Sequence, residues 1–496
     1  MTKYDIAIIG SGLGGLVCAD ILSKEGYKVC VLEKNVDFGG CLRSYTRKRR
    51  ILDTGIHYVG SLDEGQILNQ YFKYLKIRDK LKIKRLDEDG FDRIHFIDKE
   101  YKHAMGHENF IETLSSDFPK ERENIRQIVE MFKNIGNLIS VDSLKQKKTF
   151  ISDGMHYFNT SVSDFLKQYT DNADLRNVIS GTSIQSGEEA STSLYVFSTI
   201  INSNIESSYR FIDGSQQVAD LLIENIKSHG GEVLNKAEVT RLVTDDGIVT
   251  RAEINGKESL ESKYFISAIH PSDTLRILDK TKNIKKAYLS RLNSLKNSYG
   301  FFTLSIVLKD NVFPYLNRNY YYYNENSPWV DSGYAKQGVK KALFCTPASS
   351  HSEQYAEVAQ ILEPMYWHEV EKWEHTTVSS READYMAFKQ QRAEALIEYV
   401  AKRQPQLKAA IETYSTSTPL TYRDYTGTKN GSAYGIVKDY NHVLKCLLPS
   451  KTKVPNLFIT GQNNNVHGML GVFMTAMCTC GELIGTQYLA EKVANA

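Results

Sequence analysis

The chain has 496 residues, 41% of them hydrophobic and 24% charged, and its net charge is +2. That make-up fits an ordinary globular protein of two or three domains, and the near-neutral balance excludes a nucleic-acid footprint. Seven scattered cysteines do not form a disulfide framework, and no run approaches the roughly 18 apolar residues of a membrane-spanning helix.

In chain order, a short apolar strand from Ile6 to Ile9 runs into a glycine turn. A helix follows with Leu13, Leu16, Val17 and Ile21 on one face, then a second strand from Val29 to Leu32 that ends in Glu33. The opening is therefore a βαβ unit. The apolar start imitates a signal peptide, but Asp5 and the glycines break the pattern. A reducing, cytoplasmic setting fits the cysteines, and any membrane contact is expected to be peripheral. The basic run from Arg47 to Arg50 reads as a solvated strand or loop face, with an anionic membrane surface as the competing reading.

From Gln66 to Leu144 the pattern is mostly helical, interrupted by the strand-like "DRIHFID", and 161–200 continues as helices. After residue 211 the order becomes helix, turn, strand, strand, hairpin, strand, closing on "YFISAIHP". The middle, 276–450, carries strand patterns ("FFTLSIVL", "KALFCTP") and one long helix from Glu382 to Arg403. The end, "PNLFITGQNNNVHGMLGVFMTAMCTCGELIG", is strand, glycine-rich loop and apolar helix. One unit thus draws on the beginning, middle and end of the chain. The tyrosine run from Tyr320 to Tyr323, with Trp329, Trp367 and Trp373, could line a tunnel, but packing is the expected role.

Gly10, Gly12 and Gly15 satisfy G-x-G-x-x-G between strand and helix, and Glu33 ends the next strand, where an acid accepts from a ribose hydroxyl. This is a dinucleotide site. A glycine pair, Gly39 and Gly40, follows that strand, a second glycine loop spans Gly461 to Gly471, and no second G-x-G-x-x-G occurs. An extended dinucleotide, FAD rather than NAD, suits that arrangement. "LDTGIHYVG", residues 52–60, lacks the companion ligands of a metal site.

The "DTGIHYVG" run, "SYRFIDGSQQVADLL", "TPLTYRDYTGTKNGSAYGI" and "NLFITGQNNNVHGMLG" resemble segments of the FAD-dependent amine oxidase and phytoene desaturase superfamily. Within it they resemble the retinol saturase and carotenoid isomerase branch. The resemblance implies an α/β fold, with a Rossmann-like FAD/NAD(P)-binding domain interleaved with an α+β substrate domain. The expected FAD-binding pieces are 1–75, 210–275 and 452–496, and the substrate domain is 76–209 with 276–451. It implies FAD contacts at Gly10, Gly12, Leu13, Gly14, Gly15, Glu33, Lys34, Gly40, Leu42 and Ser44. Val239 would serve the adenine side, Gly461 and Gln462 the pyrophosphate and ribityl chain, and Leu470, Gly471 and Val472 the ring. Three positions depart from the family pattern: Asp213 precedes Gly214 where a glycine pair is usual, Gln462 replaces an acid, and His467 replaces a proline or small residue.

The implied activity is oxidation or reduction of carbon–carbon bonds in a polyene or isoprenoid lipid. Flavin-dependent cis–trans isomerisation, amine oxidation and non-enzymatic lipid carriage are the alternatives. NAD(P)H would bind transiently or act through a partner, and a quinone serves equally well as redox partner. His57 and His467 are the catalytic candidates, each weighed against a turn or packing role.

Overall fold

The computed structural model describes residues 3–145, 150–331 and 338–496; the other positions of the two expected domains lie outside the described residues. Two seven-stranded sheets organise the chain. In the first, Lys3–Ile9 lies between Val29–Leu32 and Glu258–Ser267, and Glu232–Leu234 adds beyond Val29–Leu32, all parallel. The far end of Glu258–Ser267 takes Leu457–Ile459 as a parallel partner, and its near end starts the antiparallel meander with Ile248–Ile254 and Val239–Asp245. The central strands read as continuous apolar runs because both faces are covered: Ile6, Ala7, Ile8, Val29, Cys30 and Val31 are wholly buried. Helices Leu13–Lys24, Gln216–Ser228 and Gly468–Ile484 pack together over one face.

Parallel strands leave all their carboxyl ends on one edge, where ligands of such sheets bind. Here that edge gathers Gly10, Glu33, Ala268 and Thr460, which directly follow Lys3–Ile9, Val29–Leu32, Glu258–Ser267 and Leu457–Ile459.

The second sheet runs Ile411–Ser417, Gly300–Leu308, Val358–Met365, Lys341–Cys345, Asn319–Tyr323, Asp92–Phe96, Lys99–His103. It is antiparallel except where Asn319–Tyr323 meets Asp92–Phe96. Its outer face, with Phe302, Leu304, Tyr322 and Phe344, packs on the long helix Ala383–Ala401. Its inner face, with Phe301, Tyr321, Tyr323, Leu343 and Leu362, packs against the helical block that includes Arg122–Gly136 and Leu194–Glu206. Each aliphatic side chain buried this way contributes about 1.5–3 kcal/mol.

The structure changes some local expectations and adds partners to others. "DRIHFID" opens a hairpin, with Lys99–His103 as its second strand. Val358–Met365 is a full strand where the sequence shows no alternation, since all eight residues are buried. The basic run is the turn of the hairpin Ser44–Arg47/Arg50–Asp53; there Arg50 pairs with Glu357 (3.0 Å) and with Asp310, and Lys48 with Glu412. Tyr320 to Tyr323 alternate across the sheet, Trp329 packs near Phe197, and Trp373 packs on Tyr385 and Phe388. Among the described residues no helix is long and apolar enough to cross a membrane, and no cluster of His, Cys, Asp and Glu could hold a metal ion.

Candidate functional site

A cavity of about 570 Å³ starts at the carboxyl edge of the first sheet and runs to the inner face of the second. At its start, helix Leu13–Lys24 has Gly12 as N-cap, no side-chain cap and no acid in its first turn. Its free N–H groups therefore face the cavity with the positive end of the helix dipole. Gly12 itself sits at φ −64°, ψ 168°, which any residue adopts, and a Cβ there would meet nothing within 4 Å. Neither backbone nor packing demands glycine, so the space in front of it is what a side chain would fill. Gly15 is the opposite case: a Cβ would lie 2.1 Å from the Gly10 carbonyl, so it serves helix-to-strand packing. Gly14 lies against the second glycine loop, where its Cβ would stand 3.0 Å from Gly461 Cα.

Glu33 is locked in place. One carboxylate oxygen accepts from the Ser11 N–H (3.0 Å) and hydroxyl (2.6 Å), the other from the Asn35 N–H (2.9 Å) and side-chain amide (2.8 Å). The cavity surface brings together most of the residues singled out from sequence. Gly10, Gly12, Leu13, Gly14, Glu33, Lys34, Gly40, Leu42 and Val239 line it, as do Gly461, Gln462, Leu470, Gly471 and Val472, with His57 and His467. Gly15 and Ser44 stand behind that surface. The Ser44 hydroxyl is buried without a partner beside Gly214, whose Cβ would lie 2.4 Å from it. Asp213, in place of the usual glycine, takes φ +61° and accepts the Ser350 N–H at 3.0 Å. A short polar side chain tolerates that left-handed geometry.

The run 52–60 passes beneath the second sheet and is tied to it. Gln360, on the inner face, donates its amide to the Asp53 carbonyl (2.7 Å), which leaves its oxygen to accept from His57 Nδ1 at 3.1 Å. The proton therefore sits on Nδ1, and Nε2 is a lone pair. Burial pulls His57 down to about 4, so the ring is neutral at pH 7. Asp53 holds the turn before the Gln216–Ser228 helix, accepting the Ser215 N–H and hydroxyl, both at 2.9 Å. Gly55 lets the run approach Cys41, whose carbonyl a Cβ would meet at 2.8 Å.

His467 is also neutral, pulled down to about 4 by burial; its Nε2–H donates to the Gln185 carbonyl at 2.7 Å. The Tyr434 ring stacks on it at 4.4 Å, and the Tyr434 and Tyr299 hydroxyls both donate to the Ile184 carbonyl. His467 is the N-cap of the uncapped helix Gly468–Ile484, so a second helix N-terminus opens on the same cavity.

Several residues of this neighbourhood carry no sequence signal. Gln360 lies in a strand with no period, Gln185 in a one-turn helix, and Asp92 reads as the start of a charged strand. Lys438 is buried behind the Gly461 loop, donating to the Ile436 and Asn463 carbonyls at 3.0 and 2.8 Å. Burial pulls it down to about 7. The carboxylates lining the cavity, Glu33, Glu238 and Asp273, all belong to or flank the first sheet; at the far end Ile56, Phe301, Leu343 and Leu362 make an apolar wall.

Residues 8–75 match the model of an NAD(P)-binding Rossmann-like domain. The chain is similar to the all-trans-retinol 13,14-reductase of Danio rerio, at 26% identity, covering 97% of this chain and 86% of the relative. A chloroplastic prolycopene isomerase of Daucus carota is 22% identical, over 87% of this chain and 72% of the relative. Among solved structures, a putrescine oxidase bound to putrescine superposes with a TM-score of 0.61 at 15% identity, covering 97% of this chain and 99% of that one.

Proposed function

Since the chain is a homologue of the all-trans-retinol 13,14-reductases and prolycopene isomerases on an amine oxidase fold, we propose that it is an FAD-dependent oxidoreductase acting on carbon–carbon double bonds of a polyene lipid. The observation that carries the reading is the single cavity joining a glycine cradle to an apolar sheet face. Its volume is in the range of small-molecule sites, about 300–1,000 Å³. An amine would find no carboxylate at the apolar end, and a polyene needs none.

In this reading 1–75, 210–275 and 452–496 form the FAD-binding domain, and 76–209 with 276–451 the substrate domain. Gly10, Gly12, Leu13 and Gly14 would receive the pyrophosphate on the helix N-terminus, with Gly15 holding the loop against its strand. Glu33 would accept from the ribose, with Lys34, Gly40, Leu42 and Val239 around the adenosine half and Ser44 behind them. Gly461 and Gln462 would meet the ribityl chain, and Leu470, Gly471 and Val472 the ring. The flavin, when bound, exchanges a hydride with a substrate carbon. The N-terminus of Gly468–Ile484 favours negative charge beside it. Phe301, Leu343 and Leu362 would exclude water from the polyene. Electrons for reduction would come from NAD(P)H binding transiently; in the oxidising direction a quinone would accept them.

The test is an anaerobic visible spectrum of the purified, chemically reduced protein on addition of all-trans-retinol and then of carotenoids. Flavin absorbance that returns as the polyene absorbance falls is the expected result. Flavin that stays reduced while the polyene spectrum shifts makes the protein an isomerase instead. A protein that takes up no flavin even on reconstitution overturns the enzyme reading and leaves a lipid carrier.

A further inference from the structure

Reducing a carbon–carbon double bond takes a proton as well as a hydride, and the two histidines on the cavity are poor sources. Both are neutral, and the ring N–H of each is already donated, His57 to Gln360 and His467 to the Gln185 carbonyl. The next residue along the run is different. Tyr58 lines the cavity, and its hydroxyl lies 2.8 Å from Asp92 Oδ2 and 2.7 Å from the Tyr321 hydroxyl.

Asp92 is fully buried on the inner face of the second sheet. Its second oxygen accepts from the Asn319 amide at 2.8 Å, and the Asn319 oxygen accepts from Arg210 at 2.6 Å. Arg210 gives its other terminal N–H groups mainly to the carbonyls of Leu316, Thr346 and Arg318. Among the described residues no cation touches Asp92 directly. Resting on the function proposed above, we propose that Tyr58 delivers the proton to the substrate double bond and that Asp92 reloads it.

The step balances. A reduced flavin held by the glycine cradle would supply the hydride to one carbon and the two electrons that go with it. The Tyr58 O–H bond breaks, its proton forms the C–H bond at the other carbon, and the electron pair stays on the phenolic oxygen. The Asp92 carboxyl then passes its proton across the 2.8 Å contact and becomes a carboxylate, which solvent reprotonates. Orientation follows from the same contact. An ionised Asp92 holds the Tyr58 O–H toward itself; a protonated Asp92 donates to the Tyr58 oxygen and frees its O–H to turn to the cavity.

The groups facing Asp92 keep one charge near neutrality. Tyr58, Tyr321 and Tyr323 are raised well above the usual phenol range by burial, and Cys345 is pushed up to about 11. His103, its register partner, is pulled down to about 4 and donates to the Val178 carbonyl at 2.9 Å. Arg210 is linked to Asp92 through Asn319. Burial pushes the Asp92 carboxyl itself up to about 7, so it exchanges its proton in the working range.

The test compares wild type, Tyr58→Phe, Asp92→Asn and, on the outer face of the same strand as Tyr321, Tyr320→Phe, all loaded with flavin. Tyr58→Phe is expected to slow polyene reduction by about 100-fold or more, the scale of a lost general acid. It should leave polyene affinity, read by fluorescence quenching on the apoprotein, within about twofold. The wild-type rate should fall as pH rises through about 7, and Asp92→Asn should be slower and lose that dependence. Infrared difference spectra of the apoprotein across the same range should contain a protonated-carboxyl band that Asp92→Asn removes. Tyr320→Phe should match wild type. A Tyr58→Phe protein at full rate, or an Asp92→Asn protein keeping both the pH profile and the band, overturns the proposal alone. A wild type that binds flavin but reduces no polyene overturns the function and this proposal together.

Discussion

At the first-sheet end of the cavity the working surface is backbone. Gly12 leaves room, the helix N-terminus offers N–H groups, and Glu33 is held by residues within 22 positions of it. At the second-sheet end the surface is side chain, and its partners come from far apart: His57 meets Gln360 across 303 positions and Tyr58 meets Tyr321 across 263. A cradle made of backbone tolerates change in every side chain except one that fills it. At that end the apolar lining tolerates apolar change, but the buried polar pairs behind it fail when one partner is removed. The two ends should therefore break differently.

The largest effect is expected at the cradle. Gly12→Val puts carbon into the space in front of the loop without straining it, so flavin affinity should fall by about 100-fold or more, roughly 2.7 kcal/mol. The melting temperature of the apoprotein should barely move. Gly15→Ala should do the reverse, destabilising the apoprotein because its Cβ would meet the Gly10 carbonyl at 2.1 Å. Flavin titration and thermal melts of the two apoproteins would separate these outcomes. A Gly12→Val protein that keeps its flavin would show that the dinucleotide does not use this cradle.

Next is the pH dependence of stability at the wall. Asp92 is raised from an ordinary 3.8 to about 7 in the folded chain. Its contribution is therefore fully present below about 3.8 and is lost as pH rises toward about 7. Asp92→Asn mimics the protonated form, so it should gain on wild type across that window, by at most about 4 kcal/mol, and stay level above it. Urea unfolding of both proteins at several pH values reads the difference. Asp20 and Asp53, raised likewise, cancel in the comparison. A difference that does not change with pH would mean that Asp92 is ionised throughout.

Gln360→Leu should cost less, about 1–3 kcal/mol, because it leaves the His57 N–H and the Asp53 carbonyl buried without partners. With the Nδ1–H no longer fixed, the tautomer should become mixed, and nitrogen NMR of the imidazole would report it. An unchanged tautomer would mean that something other than Gln360 orients the ring.

The same contrast explains what could be read from the sequence. The first half of the cradle was legible because Gly10 to Gly15 and Glu33 are contiguous or separated by one helix. The wall was not, although "DTGIHYVG" drew attention to His57 and Tyr58. Their partners sit in strands with no readable period: Val358–Met365 is buried on both faces and contains Gln360, Glu363 and Pro364, which resemble a turn. Asp92 begins a hairpin whose second strand is largely charged, so no local pattern marks it as buried. Which distant strands pair is a property of the whole sheet, and no local pattern records it.

The smallest expected effect lies at Asp213, which precedes Gly214 where the resemblance expects a second glycine. Asp213 holds φ +61° at a half-buried turn and uses its side chain to accept the Ser350 N–H at 3.0 Å. Asp213→Gly would remove the left-handed penalty on a side chain, worth about 1 kcal/mol. It would also lose a hydrogen bond of about 0.5–1.5 kcal/mol and gain unfolded-state entropy. The two losses slightly outweigh the gain, so the net change should be a loss of no more than about 1.5 kcal/mol, with flavin affinity unchanged because Asp213 does not line the main cavity. A larger loss in denaturant unfolding would mean that the Ser350 contact couples the turn to the second sheet, and that the aspartate is part of how the two units are held together. A gain would mean that glycine is the better residue there and that the aspartate is merely tolerated.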